Sequence, residues 1–389
     1  MKKSYAIVGS WDFSFSPKGI STYTYDPDSG KLSHIDTIME TVCATQVSLD
    51  EERQIAYFVD SKEDEDNKTG GGGYVLALQL DPERGTLDLI NRRRTLGVIP
   101  EYLCLDKRKR FLVVAHHASH HYITRIRPSE DGGFRSEVCY DDAALVLFEL
   151  NEDGSIGEIR DISIPAGFVG QRDKNSHLHF VMHNPNGDFF VVCDKGLDRL
   201  YTYRLDPDAG KLIFLQEIPD EEHSFPRYAL FHPRLPLLYV NHERNVKLDT
   251  YLYNTDTGKM VKLATTSLLF DWLMKTKNPS NEAADLVVHP GGKYMYASVR
   301  GVDVVAVLEI DPYGGLVLKQ NIDCGGEGPR GLCVSPDGRY LFVLNRDSQS
   351  IATFAIAEDG RLQGTPYSVH ANMSASMKIL VLDSEKKEK

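Results

Sequence analysis

Long apolar runs are missing from this 389-residue chain. The opening MKKSYAIVGSW is too short in apolar residues for a signal peptide, and no later stretch reaches the length that crosses a bilayer, so a cytoplasmic location is expected. Paired-cysteine spacing is missing too. Cys43, Cys104, Cys139, Cys193, Cys324 and Cys333 are dispersed without a CxxC motif, several of them in apolar strand contexts where a thiol packs as a small hydrophobe. Neither a disulfide framework nor a zinc site is implied. Positive charge is in deficit: 44 Lys and Arg stand against 56 Asp and Glu, a net charge of −12. Nucleic acid and anionic membranes are bound through clustered cations, so neither is expected as the main partner. The densest basic stretches, NRRR (91–94) and RIRPSEDGGFR (125–135), are short and read as solvated loop and strand ends. No Pro/Gly/Ser-rich linker divides the chain, which argues for one domain spanning 1–389. The one low-complexity stretch, EDEDNKTGGGG (63–73), cannot bury enough surface to order itself and predicts a mobile loop over about 61–73.

What the chain has in abundance is a repeated phrase: an alternating apolar run, an acidic or turn residue, a glycine and another apolar residue. It reads YTYDPDSGKL at Leu32, LALQLDPERGTL at Leu87, YTYRLDPDAGKL at Leu212 and VLEIDPYGGL at Leu316, with three further copies. Each is a hairpin whose turn glycine (Gly30, Gly85, Gly154, Gly210, Gly258, Gly315, Gly360) supplies a backbone conformation costly for other residues. The glycines recur every 45 to 69 residues, so each hairpin marks one blade of a seven-bladed, all-β propeller.

Between the hairpins lies a second phrase, a turn followed by a strongly apolar run. The copies are LDKRKRFLVVA (105–115), NPNGDFFVVCD (184–194), HPRLPLLYVN (232–241), HPGGKYMYAS (289–298) and SPDGRYLFVL (335–344), with a weaker LDEERQIAYFVD (49–60). Runs apolar on both faces predict buried inner strands covered by neighbouring blades. The chain begins with YAIVGS (4–9) and ends with MKILVLD (377–383), strands without full hairpins of their own. Together they are expected to complete one blade and close the ring.

Four ordered segments, KNSHLHFVMHNPNGDFFVVCDKGLDRLYTYRLD (174–206), FPRYALFHPRLPLLYVNHE (225–243), AADLVVHPGGKYMYASVRGVD (283–303) and GPRGLCVSPDGRYLFVLNRDS (328–348), resemble the seven-bladed propeller lactonase family. That family contains bacterial propeller-type 6-phosphogluconolactonases and the fungal carboxy-cis,cis-muconate lactonising enzyme. The resemblance runs nearly end to end. Its site residues carry over as His179, with His177 upstream; Arg227 of a Pro-Arg motif; Glu243, with His242 where Asn is usual; and Arg300 of SVRG, with Val299 where Asn is usual. A second Pro-Arg recurs at Pro329–Arg330.

The residue types are compatible with that chemistry. Two arginines beside one acid and one histidine at a channel mouth suit a small anion, since the guanidinium fork pairs with carboxylate and phosphate alike. The resemblance implies hydrolysis of a sugar-acid lactone, foremost 6-phospho-D-glucono-1,5-lactone. His179 or Glu243 would be the base and Arg227 and Arg300 the anion clamp or oxyanion support, with His177, Arg330 and His242 assisting substrate binding. No metal or cofactor is required. Two alternatives stand: a muconate-type cycloisomerase or lyase using the same residues, and a propeller that binds a partner and catalyses nothing. Glu243 and Arg300 also admit a plainer role as an ion pair tying adjacent blades, and Asp198–Arg199 reads as a turn pin. HHASHH (116–121) invites a metal reading but contains no carboxylate or thiolate. It opens an insertion over about 116–142 where the family has a tight connection. His116 or His117 is placed to point into the mouth, with His120 and His121 exposed.

Overall fold

The turn chemistry of the repeat sets the outer hairpin of every blade. In YTYRLDPDAGKL the carboxylate of Asp206 accepts the amides of Asp208 and Ala209, and Gly210 follows at φ +64°. Asp26, Asp81 and Asn254 hold their turns in the same way. One expectation needs correction. In DPYGGL the left-handed residue is Gly314 (φ +87°), not Gly315, because Asp311 closes a turn one residue shorter by accepting the Gly314 amide.

The computed structural model describes residues 3–11, 18–65, 68–165, 175–187, 189–275 and 280–382. It contains seven four-stranded antiparallel sheets, each a blade. The first strands of the blades, among them Pro100–Leu105, Leu178–His183, Pro226–Phe231, Glu282–Val288 and Pro329–Val334, pack against one another around the axis. The apolar runs that the sequence marks as inner are the second strands, one place out from the axis: Phe111–His116 and Phe189–Asp194 are buried at every position because blades cover both faces. Blade one is closed as expected. Lys3–Ser10 pairs antiparallel with Ser374–Leu382, which supplies its innermost strand. Asp383, the last residue of the expected terminal strand, lies outside the described residues.

In blades two, five and six a tyrosine of the second strand latches the blade to the next. The hydroxyls of Tyr57, Tyr239 and Tyr296 donate to the carbonyls of Gly154, Gly314 and Gly360, the turn glycines of the following blades. A buried phenol is thereby satisfied at the place where its ring fills the space between sheets.

The loop expected to be mobile is instead partly paired: Asp64–Glu65 and Lys68–Gly71 form a short two-stranded ladder, with residues 66 and 67 outside the described set. The Gly-rich end supplies positive φ at Gly70, Gly71 and Gly73, which permits the tight return. The blade-three insertion is a two-stranded ribbon, Tyr122–Pro128 with Phe134–Tyr140, standing off the propeller body.

Candidate active site

The first strands share an irregularity that places the chemistry. In blades three, four, five and seven the ladder skips one residue near the strand's start, and the skipped residues are Glu101, His179, Arg227 and Arg330. A bulge releases its extra residue from strict alternation and re-aims the side chain. All four side chains therefore turn into the same end of the channel. The residues that close or follow the second strands meet them there: His117, Lys195, Glu243 and Arg300. With Trp11, His120, Arg244 and Glu282 they surround a cavity of about 340 Å³.

Its charges are tightly paired. Glu243 is the hub, with Lys195 Nζ at 2.5 Å, Arg300 Nη2 at 2.8 Å and Arg227 Nε at 3.6 Å. Burial alone would raise the Glu243 carboxyl, but the three cations overcome it and hold the group far below the usual carboxylate range. Arg300 also reaches Glu282 at 3.0 Å, and Arg227 donates to the Ala284 carbonyl at 2.9 Å. The ion pair between Glu243 and Arg300 thus exists across blades five and six, inside the cavity wall.

A second group centres on Glu101. Its carboxylate accepts from Arg330 Nη2 at 2.9 Å and lies 3.5 Å from His179 Nε2. The guanidinium of Arg330 in turn stacks on Trp11, 4.0 Å from the ring centre. Burial pushes Glu101 up, opposed by Arg330, Arg227 and Lys195. Burial, reinforced by Arg227 and Lys195, pushes His179 well below its ordinary value, so its imidazole is neutral at pH 7. His179 Nδ1 is buried without a hydrogen-bond partner. A neutral imidazole at a cavity wall, with one nitrogen near a carboxylate, has the arrangement of an oriented base.

Of the residues singled out from sequence, His179, Arg227, Glu243, Arg300 and Arg330 converge on this cavity. His177 stands behind its wall, stacked on His117 at 4.4 Å, with its Nδ1 against the His117 carbonyl at 2.5 Å. His242 is elsewhere, which corrects its expected part in substrate binding. Strand alternation turns it away from the channel to Asp220 at 2.6 Å and Asp249 at 3.5 Å. Among the described residues these three are the group whose ligating atoms lie close enough to share a metal ion, and Lys262 Nζ, 2.5 Å from Asp249, already supplies a cation there. Asp198 pins a turn as expected, its carboxylate accepting the amides of His223 and Phe225. Sequence reasoning missed Glu101 and Lys195. Glu101 had a signal, since Pro100–Glu101 repeats the register of Pro226–Arg227 and Pro329–Arg330; Lys195 follows its second strand as Glu243 does.

Residues 6–379 match the sequence profile of the family described as lactonase, 7-bladed beta-propeller. The chain is 26% identical to a 6-phosphogluconolactonase of Formosa agariphila, over 96% of this chain and 98% of that one. It is 25% identical to a 6-phosphogluconolactonase of Bacillus subtilis, over 98% and 99%. Among solved structures, a periplasmic gluconolactonase of Pseudomonas aeruginosa superposes with a TM-score of 0.82 at 21% identity, over 97% of this chain and 99% of that one. No helix among the described residues is long and apolar enough to cross a membrane.

Proposed function

Because this chain belongs to the seven-bladed β-propeller lactonase family, and its relatives named 6-phosphogluconolactonase support a lactone hydrolase, we propose that its substrate is 6-phospho-D-glucono-1,5-lactone and its product 6-phosphogluconate. The two relatives named 6-phosphogluconolactonase support this substrate. So does the charge of the cavity, whose wall carries five cations (Lys195, Arg227, Arg244, Arg300, Arg330) against three carboxylates (Glu101, Glu243, Glu282). The surplus favours a ligand with phosphate-like charge.

The observation that carries the mechanism is the neutral imidazole of His179, held beside Glu101 in a cavity wall lined with cations. In this reading His179 takes a proton from water as its oxygen bonds to the lactone carbonyl carbon, and returns it to the ring oxygen when that C–O bond breaks. Glu101 orients the imidazole. The arginines, fixed in place by Glu243 and Glu282, supply positive charge to the tetrahedral oxyanion without rearranging as it forms. Glu243 is a poor base here, because three cations hold its proton off; its part is to position Arg227, Arg300 and Lys195.

The test follows loss of 6-phosphogluconolactone beside unphosphorylated gluconolactone, each corrected for spontaneous hydrolysis. A much larger kcat/KM for the phosphorylated lactone is expected. Equal rates would remove the phosphate requirement, and no acceleration of either would leave the muconate-type or binding readings.

A further inference from the structure

We propose that His117 and His120, from the HHASHH run, relay the proton released in each turnover from His179 to solvent. This inference rests on the lactonase reading above.

Lactone hydrolysis has a proton to dispose of. Water contributes two: one reaches the ring oxygen, which becomes a hydroxyl, and the other begins on the new carboxylic acid. At neutral pH that acid ionises, so one proton leaves the site per turnover. His179 is 4% exposed and faced by Glu101, Arg227, Lys195 and Arg330. Return of its first proton to the ring oxygen restores His179, which can then take the second from the new acid; lodged on the imidazole among those cations that proton is disfavoured, and the base is ready for the next water only when it is passed on.

The structure offers a path in one direction. The His117 ring stands edge-on to His179, at 6.0 Å between centres and 80° between planes, and both line the same cavity. His120 follows at 5.2 Å from His117. Burial falls along the way, from His179 through the half-buried His117 to the exposed His120, and both His117 and His120 line the cavity. The rings are held for the task. His117 Nδ1 lies 3.1 Å from the Ala118 carbonyl, which keeps the hydrogen on that nitrogen and leaves Nε2 to accept. His177 braces both partners, stacked on His117 and 4.5 Å from His120. Burial also lowers His117 and His120, so that both rest neutral and a proton passing onto either is held weakly and readily released.

The insertion that carries these histidines is thereby given a chemical purpose. The other use for such a cluster is to hold the substrate's phosphate, and the two differ in what they predict. His120→Ala, at an exposed position that leaves the fold intact, is assayed with 6-phosphogluconolactone in weak and strong buffer, with added imidazole, and with correction for buffer-catalysed hydrolysis. A relay predicts a kcat reduced about tenfold in weak buffer, an unchanged KM, and recovery as imidazole is raised. Wild-type kcat in weak buffer overturns it, as does a raised KM with no recovery by imidazole, the signature of a phosphate contact. Should the wild-type protein accelerate neither this lactone nor gluconolactone, the lactonase reading falls and the relay with it; an active wild type beside an unaffected His120→Ala overturns the relay alone.

Discussion

Replacing Glu243 with Gln removes one negative charge and leaves three cations facing one another in the cavity wall. Lys195, Arg300 and Arg227 stand 2.5, 2.8 and 3.6 Å from its carboxylate, and the carboxylate is almost wholly buried. Breaking a buried pair by deleting one partner typically costs about 3–5 kcal/mol, since the remaining charge keeps its desolvation penalty. At about 2.1 cal/mol/K per residue, the unfolding entropy of 389 residues is about 0.8 kcal/mol/K, so the melting temperature should fall by about 4–6 °C. Adding Lys195→Met removes one stranded cation and should restore part of that loss, a coupling that a thermal or urea double-mutant cycle reads directly. Activity should fall in Glu243→Gln because the arginines lose their anchor, yet the acid limb of the pH–rate profile should persist, since the titrating base is His179. A Glu243→Gln protein that melts with the wild type and loses the acid limb would make Glu243 the base and refute the reasoning.

Deleting residues 375–389 strips the innermost strand of blade one, including buried Met377, Ile379 and Leu380, whose burial is worth about 2 kcal/mol each. An insoluble product, or a melting temperature lowered by about 7 °C or more, is expected by calorimetry; melting within a degree or two of the full chain would mean the ring closes otherwise. Burial holds His116 and His177 at about 4, below the unfolded value. The unfolded chain then binds more protons between about pH 4 and 6.5, so each group costs stability as pH falls through that window, about 2 kcal/mol at pH 5. Glu101, Asp194 and Asp285 are raised and act in the opposite sense, so the contribution is isolated by difference: in urea unfolding at pH 5, His116→Asn should take up nearly one proton fewer than the wild type. Gly314→Ala should cost about 1–3 kcal/mol, because φ there is +87° and a Cβ would meet buried Leu237, with Gly315→Ala costing less; equal melting points would contradict the turn assignment.

The fold was legible because each blade repeats two local constraints, an Asx-held turn with its glycine and a strand apolar on both faces. Both are written in neighbouring residues. The same locality explains the slips. Two adjacent glycines in DPYGGL leave open which one takes the left-handed conformation, and that choice depended on where Asp311 closes its turn. A run apolar on both faces marks coverage by neighbouring blades, which the second strand has as fully as the first. The site was partly legible because the Pro-Arg phrases sit at bulges. Glu101 carries the same phrase with the opposite charge, and a reading that sought arginines passed over it. His242 failed for a geometric reason: it adjoins Glu243 in sequence, and successive residues of a strand face opposite ways.

The bulges have a bearing on how this protein changes over time. At a skipped position the backbone is already excused from the ladder, so the identity of the side chain is decoupled from the pairing that holds the blade. Blade one offers a comparable position at Ala375, where the register also slips. A glutamate, a histidine, two arginines and an alanine occupy equivalent stations around one mouth. Mutation can therefore sample acids, bases and cations in combination at these stations while each sheet keeps its hydrogen bonds. New substrates become reachable by exchanging these residues in charge-matched combinations, because Glu101 with Arg330 and Arg227 with Glu243 are buried pairs, and a saturation library at positions 101, 179, 227, 330 and 375 would sample such combinations while the ladders stay paired.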